Sequence, residues 1–249
     1  MNCKKYLSFF ILSLIIISCK SEDNTQVDED GIITGLQTKT LTHDNVNRNY
    51  LVYIPDSYDS EIDYPLMFVF HGFGGIATQF INSADMRDLA ESNNFIVVYP
   101  QGLDLGGTGS HWNCSNPSAD NKSDVDDIGF IENLIDQLIL DYPVIDSKRI
   151  YAAGYSNGGF MSYYLACNSK KFAAIGSVAG TMLDDSYQSC NANFPTAMIN
   201  IHGTNDFDVP YDGNTYYPSI PEVVDWWKNF NNTPNEDVLT NLDGSIEQY

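Results

Sequence analysis

Three short stretches of this 249-residue chain hold residue types that could perform acyl transfer. In "YAAGYSNGGF", residues 151–160, Gly154, Ser156 and Gly158 alternate between an apolar run and a run of helical periodicity. A serine on a sharp strand-to-helix turn projects its hydroxyl as a nucleophile, and flanking glycines let neighbouring backbone approach without Cβ clashes. The helix beginning there points N–H groups at charge developing beside the hydroxyl. In "HGFGG", residues 71–75, a glycine-rich turn follows an apolar run, and such a turn can aim backbone N–H groups at an oxyanion. One donor is assigned to the N–H of Phe73 and the other to that of Asn157, the residue after the serine. His71 itself reads as a brace for the turn rather than a base. In "IHGTNDFDVP", residues 201–210, Asp206 follows another apolar run, where a carboxylate orients an imidazole and stabilises its protonated form. Asp208 is its rival, and loop position favours Asp206. His202, inside the run, reads as a core histidine.

These groups need elements to hold them. Residues 32–54 alternate apolar and polar around "THDNVNR" and predict an antiparallel hairpin. The runs "PLMFVFHG", "FIVVYPQG", "RIYAAGYS", "FAAIGSVAG" and "TAMINIHG" are short and almost continuously apolar, the pattern of strands buried on both faces of a parallel sheet. Between them, residues 125–142 carry an apolar stripe at Ile128, Ile131, Leu134, Ile135 and Leu138, which predicts an amphipathic helix. Asp124, Asp126 and Asp127 read as its N-cap and first-turn charges, because no full loop of oxygen ligands for calcium is evident. After Ser156 a second helix is predicted with its stripe at Phe160, Met161, Tyr164 and Leu165, and residues 221–230 make a last one carrying Trp226 and Trp227. A hairpin followed by alternating strands and helices gives an α/β domain with a mostly parallel sheet and helices on both faces. Ligands of such sheets sit beyond the carboxyl ends of the strands, where all three stretches fall. Residues 102–124 form a connection long enough to be a substrate-contact loop. It carries His111 and Trp112: the tryptophan would stack on an aromatic acyl group or sugar, or else anchor the loop on the body.

The start of the chain reads as a processing signal. Lys4 and Lys5 precede an apolar run too short to span a bilayer, which ends in "IISCK". It resembles a lipoprotein signal of residues 1–18, with Cys19 as the lipidated residue and the acidic residues 19–30 as a disordered tether to a domain of residues 31–249. Export to an outer membrane or cell surface follows. The formal net charge is −21, and loss of Lys4 and Lys5 with the leader makes it −23. Such a surface repels phosphate backbones and excludes nucleic acid as a partner, and it disfavours polyanions such as unesterified pectin. Of five cysteines, Cys114, Cys167 and Cys190 stay in the folded part, where disulfides persist. The expected pair is Cys167 with Cys190, and none of the cysteines has metal-site spacing.

Taken together, "HGFGG", "VVYPQG", "DDIGFIENLIDQL", "RIYAAGYSNGGFMSYYLAC", "FAAIGSVAG" and "IHGTNDFDVPYDG" resemble the α/β-hydrolase esterases grouped as polyhydroxybutyrate depolymerases and feruloyl or acetyl-xylan esterases. The resemblance runs over residues 49–227. It implies a serine esterase with Ser156 as nucleophile and Asp206 as triad acid, acting outside the cell on plant polysaccharide esters or polyesters without metal or organic cofactor. The family order places a histidine last, after one more helix and strand. Only 43 residues follow Asp206 and none is histidine, so the expectation is a chain cut short before its final strand. His111 is the substitute base within reach of the same sheet edge. Two other classes stand beside the esterase: a surface glycan-binding lipoprotein on an inactive hydrolase fold, and a peptidase of the same fold.

Overall fold

The computed structural model describes residues 31–104, 107, 109–116, 123–233, 240–241 and 247–248. The leader, Cys19 and the tether lie outside the described residues. Strands β1 (Gly35–His43), β2 (Val46–Ile54), β3 (Tyr64–Phe70), β4 (Ile96–Pro100), β7 (Ile145–Tyr155), β8 (Ala174–Val178) and β9 (Ala197–Ile201) form one sheet in the order β1-β2-β4-β3-β7-β8-β9. The β1–β2 and β2–β4 pairs are antiparallel and every later pair is parallel. Two small ladders stand apart: β5 (Leu103–Asp104) with β6 (Ser110–His111), inside the long connection, and β10 (Thr240–Asn241) with β11 (Glu247–Gln248). This is the expected α/β architecture.

The first hairpin is tighter than its sequence suggests. Instead of a seven-residue connection, Asp44 (φ 49°) and Asn45 (φ 62°) make a two-residue turn, and His43 pairs directly with Val46. Both turn residues sit in the left-handed region that Asp and Asn tolerate best, and that geometry matches the twist of a hairpin.

Helices α3 (Asp127–Asp141), α4 (Asn157–Asn168) and α6 (Ile220–Phe230) cover one sheet face, burying Phe68, Phe70, Phe130, Leu134, Leu165 and Trp227 in the main core. Helices α1 (Ala77–Phe80) and α2 (Arg87–Asn93) cover the other face over β2, β4 and β3, around Leu51, Val69, Val97 and Tyr99. Alternation along β3 and β4 therefore feeds two cores, and each strand reads as continuously apolar. In α4 every residue from position 158 to 167 is buried, so the expected stripe is only part of its packing. The helix lies between sheet and loops and has little wet surface. Helix α6 starts in a capping box, in which Ser219 and Glu222 satisfy each other's backbone N–H groups and Pro221 occupies the first turn.

One expectation fails at the sheet edge. Strand β9 was expected to be buried on both faces, yet Ile199 and Ile201 are 60% and 56% exposed. Tyr155, Val178 and Ile201 lie in register across β7, β8 and β9 and are all exposed. Among the described residues α1 and α2 reach only the β2–β4–β3 part of that face, so the β9 end stays open. The acidic start of α3 is as expected, with Asp126 at the N-cap and Asp127 in the first turn. The structure adds that Asp127 is buried 2.6 Å from Arg48, whose guanidinium lies 4.0 Å over the Phe130 ring. Cap duty belongs to Asp126, whose side chain accepts from the Gly129 N–H. Cys167 at the end of α4 is bonded to Cys190, just past helix α5 (Asp184–Ser189), and Cys114 is free and buried. No helix of the described residues is long and apolar enough to cross a membrane.

Candidate active site

Ser156 occupies the tight turn between β7 and α4, at φ 52° and ψ −120°. This backbone is costly for any residue with a Cβ. The turn is held in place because the Ser156 N–H donates to the Val178 carbonyl at the end of β8, and its own carbonyl accepts from Gly159 and Phe160. The glycine spacing has a steric cause. A Cβ on Gly154 would run into the Gly158 backbone, and one on Gly158 would run into the Phe70 carbonyl. The two glycines let α4 rest directly on β7 and β3, which brings the serine to the carboxyl edge of the sheet.

The glycine turn after β3 lies against this serine: a Cβ on Gly72 would come 3.4 Å from Ser156 Cβ. Its backbone is fixed from several sides. The Gly75 N–H donates to the Gly72 carbonyl at 3.0 Å, and the Gly74 N–H donates to the Ser110 carbonyl of β6 at 2.7 Å. His71 is fully buried beneath it. Nδ1–H donates to the Gly72 carbonyl at 2.7 Å, while Nε2 accepts from the Gly102 N–H at 3.0 Å and faces Gln101 Nε2 at 3.1 Å. Burial holds this imidazole below its usual pKa, and every ring nitrogen is engaged, so its place is that of a brace. Phe73 therefore stands on a rigid turn beside Ser156, and Asn157 opens α4, where first-turn N–H groups have no acceptor within the helix.

The long connection reaches this spot. Trp112 is only 2% exposed. Its indole N–H donates to the His71 carbonyl at 3.0 Å, and the ring packs edge-on to Phe70 at 5.1 Å. These contacts anchor the loop, and Trp112, together with His111, also lines the cleft that opens at Ser156. Asn113 is tied to Asp127 by a 2.7 Å bond from its N–H. His111 is also buried, with Nε2 2.9 Å from Ser123 Oγ and Nδ1 3.3 Å from the Gly109 carbonyl. Its ring is thus engaged within its own loop.

Asp206 lies beyond β9, two strands from the serine. Its Oδ1 accepts the N–H groups of Asp208 and Val209, each at 2.9 Å, which leaves Oδ2 turned elsewhere, 3.6 Å from His202 Nε2. His202 donates from Nε2 to the Val209 carbonyl at 2.8 Å, and its Nδ1 is buried without a partner among the described residues. It is therefore only half satisfied, short of the expected core histidine. His43 sits on the first hairpin, with Nε2 3.2 Å from Asp126 Oδ2 and Nδ1 2.8 Å from Asn133 Nδ2. His43, Asp44 and Asp126 bring ligand-type atoms within 4.8 Å of one another. Hydrogen bonds to Asp126 and Asn133 account for the ring of His43. Among the described residues none of the four histidines is hydrogen-bonded to Ser156.

A cleft of about 320 Å³ opens at Ser156 and Asn157, walled by Phe73, Phe160, Leu183 and Tyr217. Phe160 and Tyr217 meet edge to face at 5.7 Å, and the Tyr217 hydroxyl donates to the Asp208 carbonyl, joining the aromatic wall to the Asp206 loop. Of these, Phe73 and Phe160 were singled out in the sequence, whereas Leu183 and Tyr217 were missed because they come from irregular connections with no periodic pattern. A serine on a strained turn beside a glycine turn, in an apolar cleft, can support acyl transfer. A family model described as "Putative esterase" matches residues 43–239, most of the chain.

The chain belongs to this esterase family.

Among its curated relatives, "Probable feruloyl esterase C" of Aspergillus niger is 32% identical over 178 residues, covering 69% of this chain and 59% of the relative. "Feruloyl esterase D" of Neurospora crassa is 29% identical over 182 residues, covering 68% of this chain and 57% of that one. The chain thus spans less than two thirds of the length of these relatives. Among solved structures, an acetyl xylan esterase from Aspergillus awamori superposes with a TM-score of 0.63 at 18% identity, covering 86% of this chain and 90% of that one. This likeness places the esterase family member in the α/β-hydrolase fold.

Proposed function

We propose that this chain is a serine carboxylic-ester hydrolase that acts on plant polysaccharide esters, feruloyl or acetyl, or on polyhydroxyalkanoate-type polyesters. The observation that carries the reading is Ser156, held at φ 52° beside the glycine turn in an aromatic-walled cleft. In this mechanism Ser156 Oγ attacks the ester carbonyl carbon and gives up its proton to a base. The N–H groups of Phe73 and Asn157 hold the oxyanion. The C–O bond to the alcohol breaks, the alcohol leaves with a proton, and water then frees the acid from the acyl-enzyme. Asp206 is assigned to orient that base, an imidazole. The names of the relatives support a feruloyl or acetyl ester, and the net charge of −21 favours neutral polysaccharides over polyanions. Residues 1–18 are assigned as a leader and Cys19 as a lipid anchor that holds the enzyme at the outer membrane or cell surface.

A glycan-binding protein on an inactive hydrolase fold is the second reading, favoured by the lack of a histidine bonded to Ser156 among the described residues. The full-length protein decides between them. Hydrolysis of methyl ferulate, acetylated xylan or a short polyhydroxybutyrate, with fluorophosphonate labelling at Ser156 that is lost in S156A, is the expected result. Xylan binding without ester cleavage or labelling would overturn the first reading in favour of the second. Membrane release of a Cys19→Ala variant tests the anchor.

A further inference from the structure

We propose that Trp112 is the positioning residue of the oxyanion site, the bracket that sets the distance between its two halves. The inference rests on the reading of Ser156 as nucleophile with Phe73 and Asn157 as oxyanion donors. Those two donors belong to different elements, one on the turn after β3 and one at the start of α4, and no covalent link shorter than the chain between them fixes their spacing. Trp112 touches both sides. Its N–H donates to Asn157 Oδ1 at 2.7 Å, and its carbonyl accepts from Asn157 Nδ2 at 3.0 Å, a two-point clamp on the first residue of α4. Its indole N–H donates to the His71 carbonyl at 3.0 Å, two residues before Phe73. The ring is wedged between Phe70 and His71, each 5.1 Å away by centroid.

The surrounding bonds make the bracket rigid. Cys114 Sγ–H donates to the Trp112 carbonyl at 3.3 Å, and Asn157 Nδ2 approaches the same sulfur at 3.5 Å. Two residues before Trp112, the Ser110 carbonyl accepts from the Gly74 N–H on the glycine turn, and the Ser110 hydroxyl donates to the Gly75 carbonyl. The one segment of residues 110–114 therefore bonds to both sides, to Asn157 on α4 and to His71, Gly74 and Gly75 on the glycine turn. Such preorganisation matters because a donor acts on the transition state only if it is aimed before charge develops. A loop that merely packed against the body would not need the Asn157 side chain to grip both polar groups of one peptide residue. Asn157 thus has two separable parts: a backbone N–H that faces the oxyanion and a side chain that serves the bracket.

The test uses the full-length protein, with active sites counted by fluorophosphonate titration and steady-state kinetics on methyl ferulate. Trp112→Phe keeps the ring and removes the indole N–H, and Asn157→Ala keeps the backbone donor and removes the clamp. Each is expected to lower kcat per titrated site by about tenfold to a hundredfold, with KM within about twofold, since removing an oxyanion donor outright costs about 10² to 10³. The double variant should fall no further than about threefold below the weaker single, because both changes loosen one bracket. Normal kcat per titrated site in either folded single variant would overturn the proposal, as would losses that multiply in the double variant. If the wild-type protein neither takes the label nor cleaves ester, the nucleophile reading itself falls, and the bracket with it. If wild type is active and the variants match it, only the bracket falls.

Discussion

The strained turn at Ser156 predicts that, of two variants lacking the proposed nucleophile, the glycine variant is more stable than the alanine one. Ser156 sits at φ 52° and ψ −120°, where only glycine is comfortable. Holding a residue with a Cβ there costs about 1–3 kcal/mol. Glycine at the same position escapes that strain but loses about 0.5–1 kcal/mol more backbone entropy on folding. The Ser156 hydroxyl has no hydrogen-bond partner among the described residues, so alanine is the proper reference: it lacks the hydroxyl and keeps the Cβ. Ser156→Gly should therefore be more stable than Ser156→Ala by about 1 kcal/mol, the difference between the midpoints of those two ranges. For a domain of this size that is a rise in Tm of about 2–4 °C. Urea melts at 25 °C with a shared m-value, supported by thermal melts, measure it, and both variants should hydrolyse no ester. Equal stability of the two variants, or a less stable glycine variant, would show that the turn stores no strain at this residue.

Three further outcomes follow from the packing. Arg48 and Asp127 are each 1% exposed and 2.6 Å apart, so Arg48→Met should destabilise by about 3–5 kcal/mol in urea melts, and replacing Asp127 by Leu as well should restore much of it. Burial lowers the His71 pKa, so the folded state keeps the ring neutral while an unfolded histidine takes up a proton below about 6.5. Its contribution is full above that value and is lost as pH falls through it towards the folded pKa; an imidazole NMR titration of folded His71 at or above 6.5 would count against the brace. Reducing the Cys167–Cys190 bond, which spans 23 residues, should lower stability by about 3 kcal/mol, read as a drop in urea midpoint absent from a Cys167→Ala/Cys190→Ala variant treated the same way.

Much of the frame was legible because its causes are local. Continuous apolar runs marked the doubly buried strands, and the Gly154, Ser156, Gly158 spacing marked the point where α4 meets β7, since both glycines are demanded by backbone contact. Other features were illegible for a physical reason. Strand β9 reads like β3 in composition, and only its place at the edge, beyond the reach of α1 and α2, leaves Ile199 and Ile201 exposed. The acidic run placed Asp127 in the first turn of α3, but nothing local showed that Arg48, 79 positions earlier, would draw it into the core.

The sequence by itself therefore determined the alternation of elements, the turn that presents Ser156 and the glycine turn placed to face it, because steric and hydrophobic periodicity act over a few residues. Only the tertiary structure decided how the two halves of the site are held together. Asn157 and Trp112 lie 45 positions apart, and their clamp exists because α4 and the loop bury the same polar groups at one spot, where each must satisfy the other.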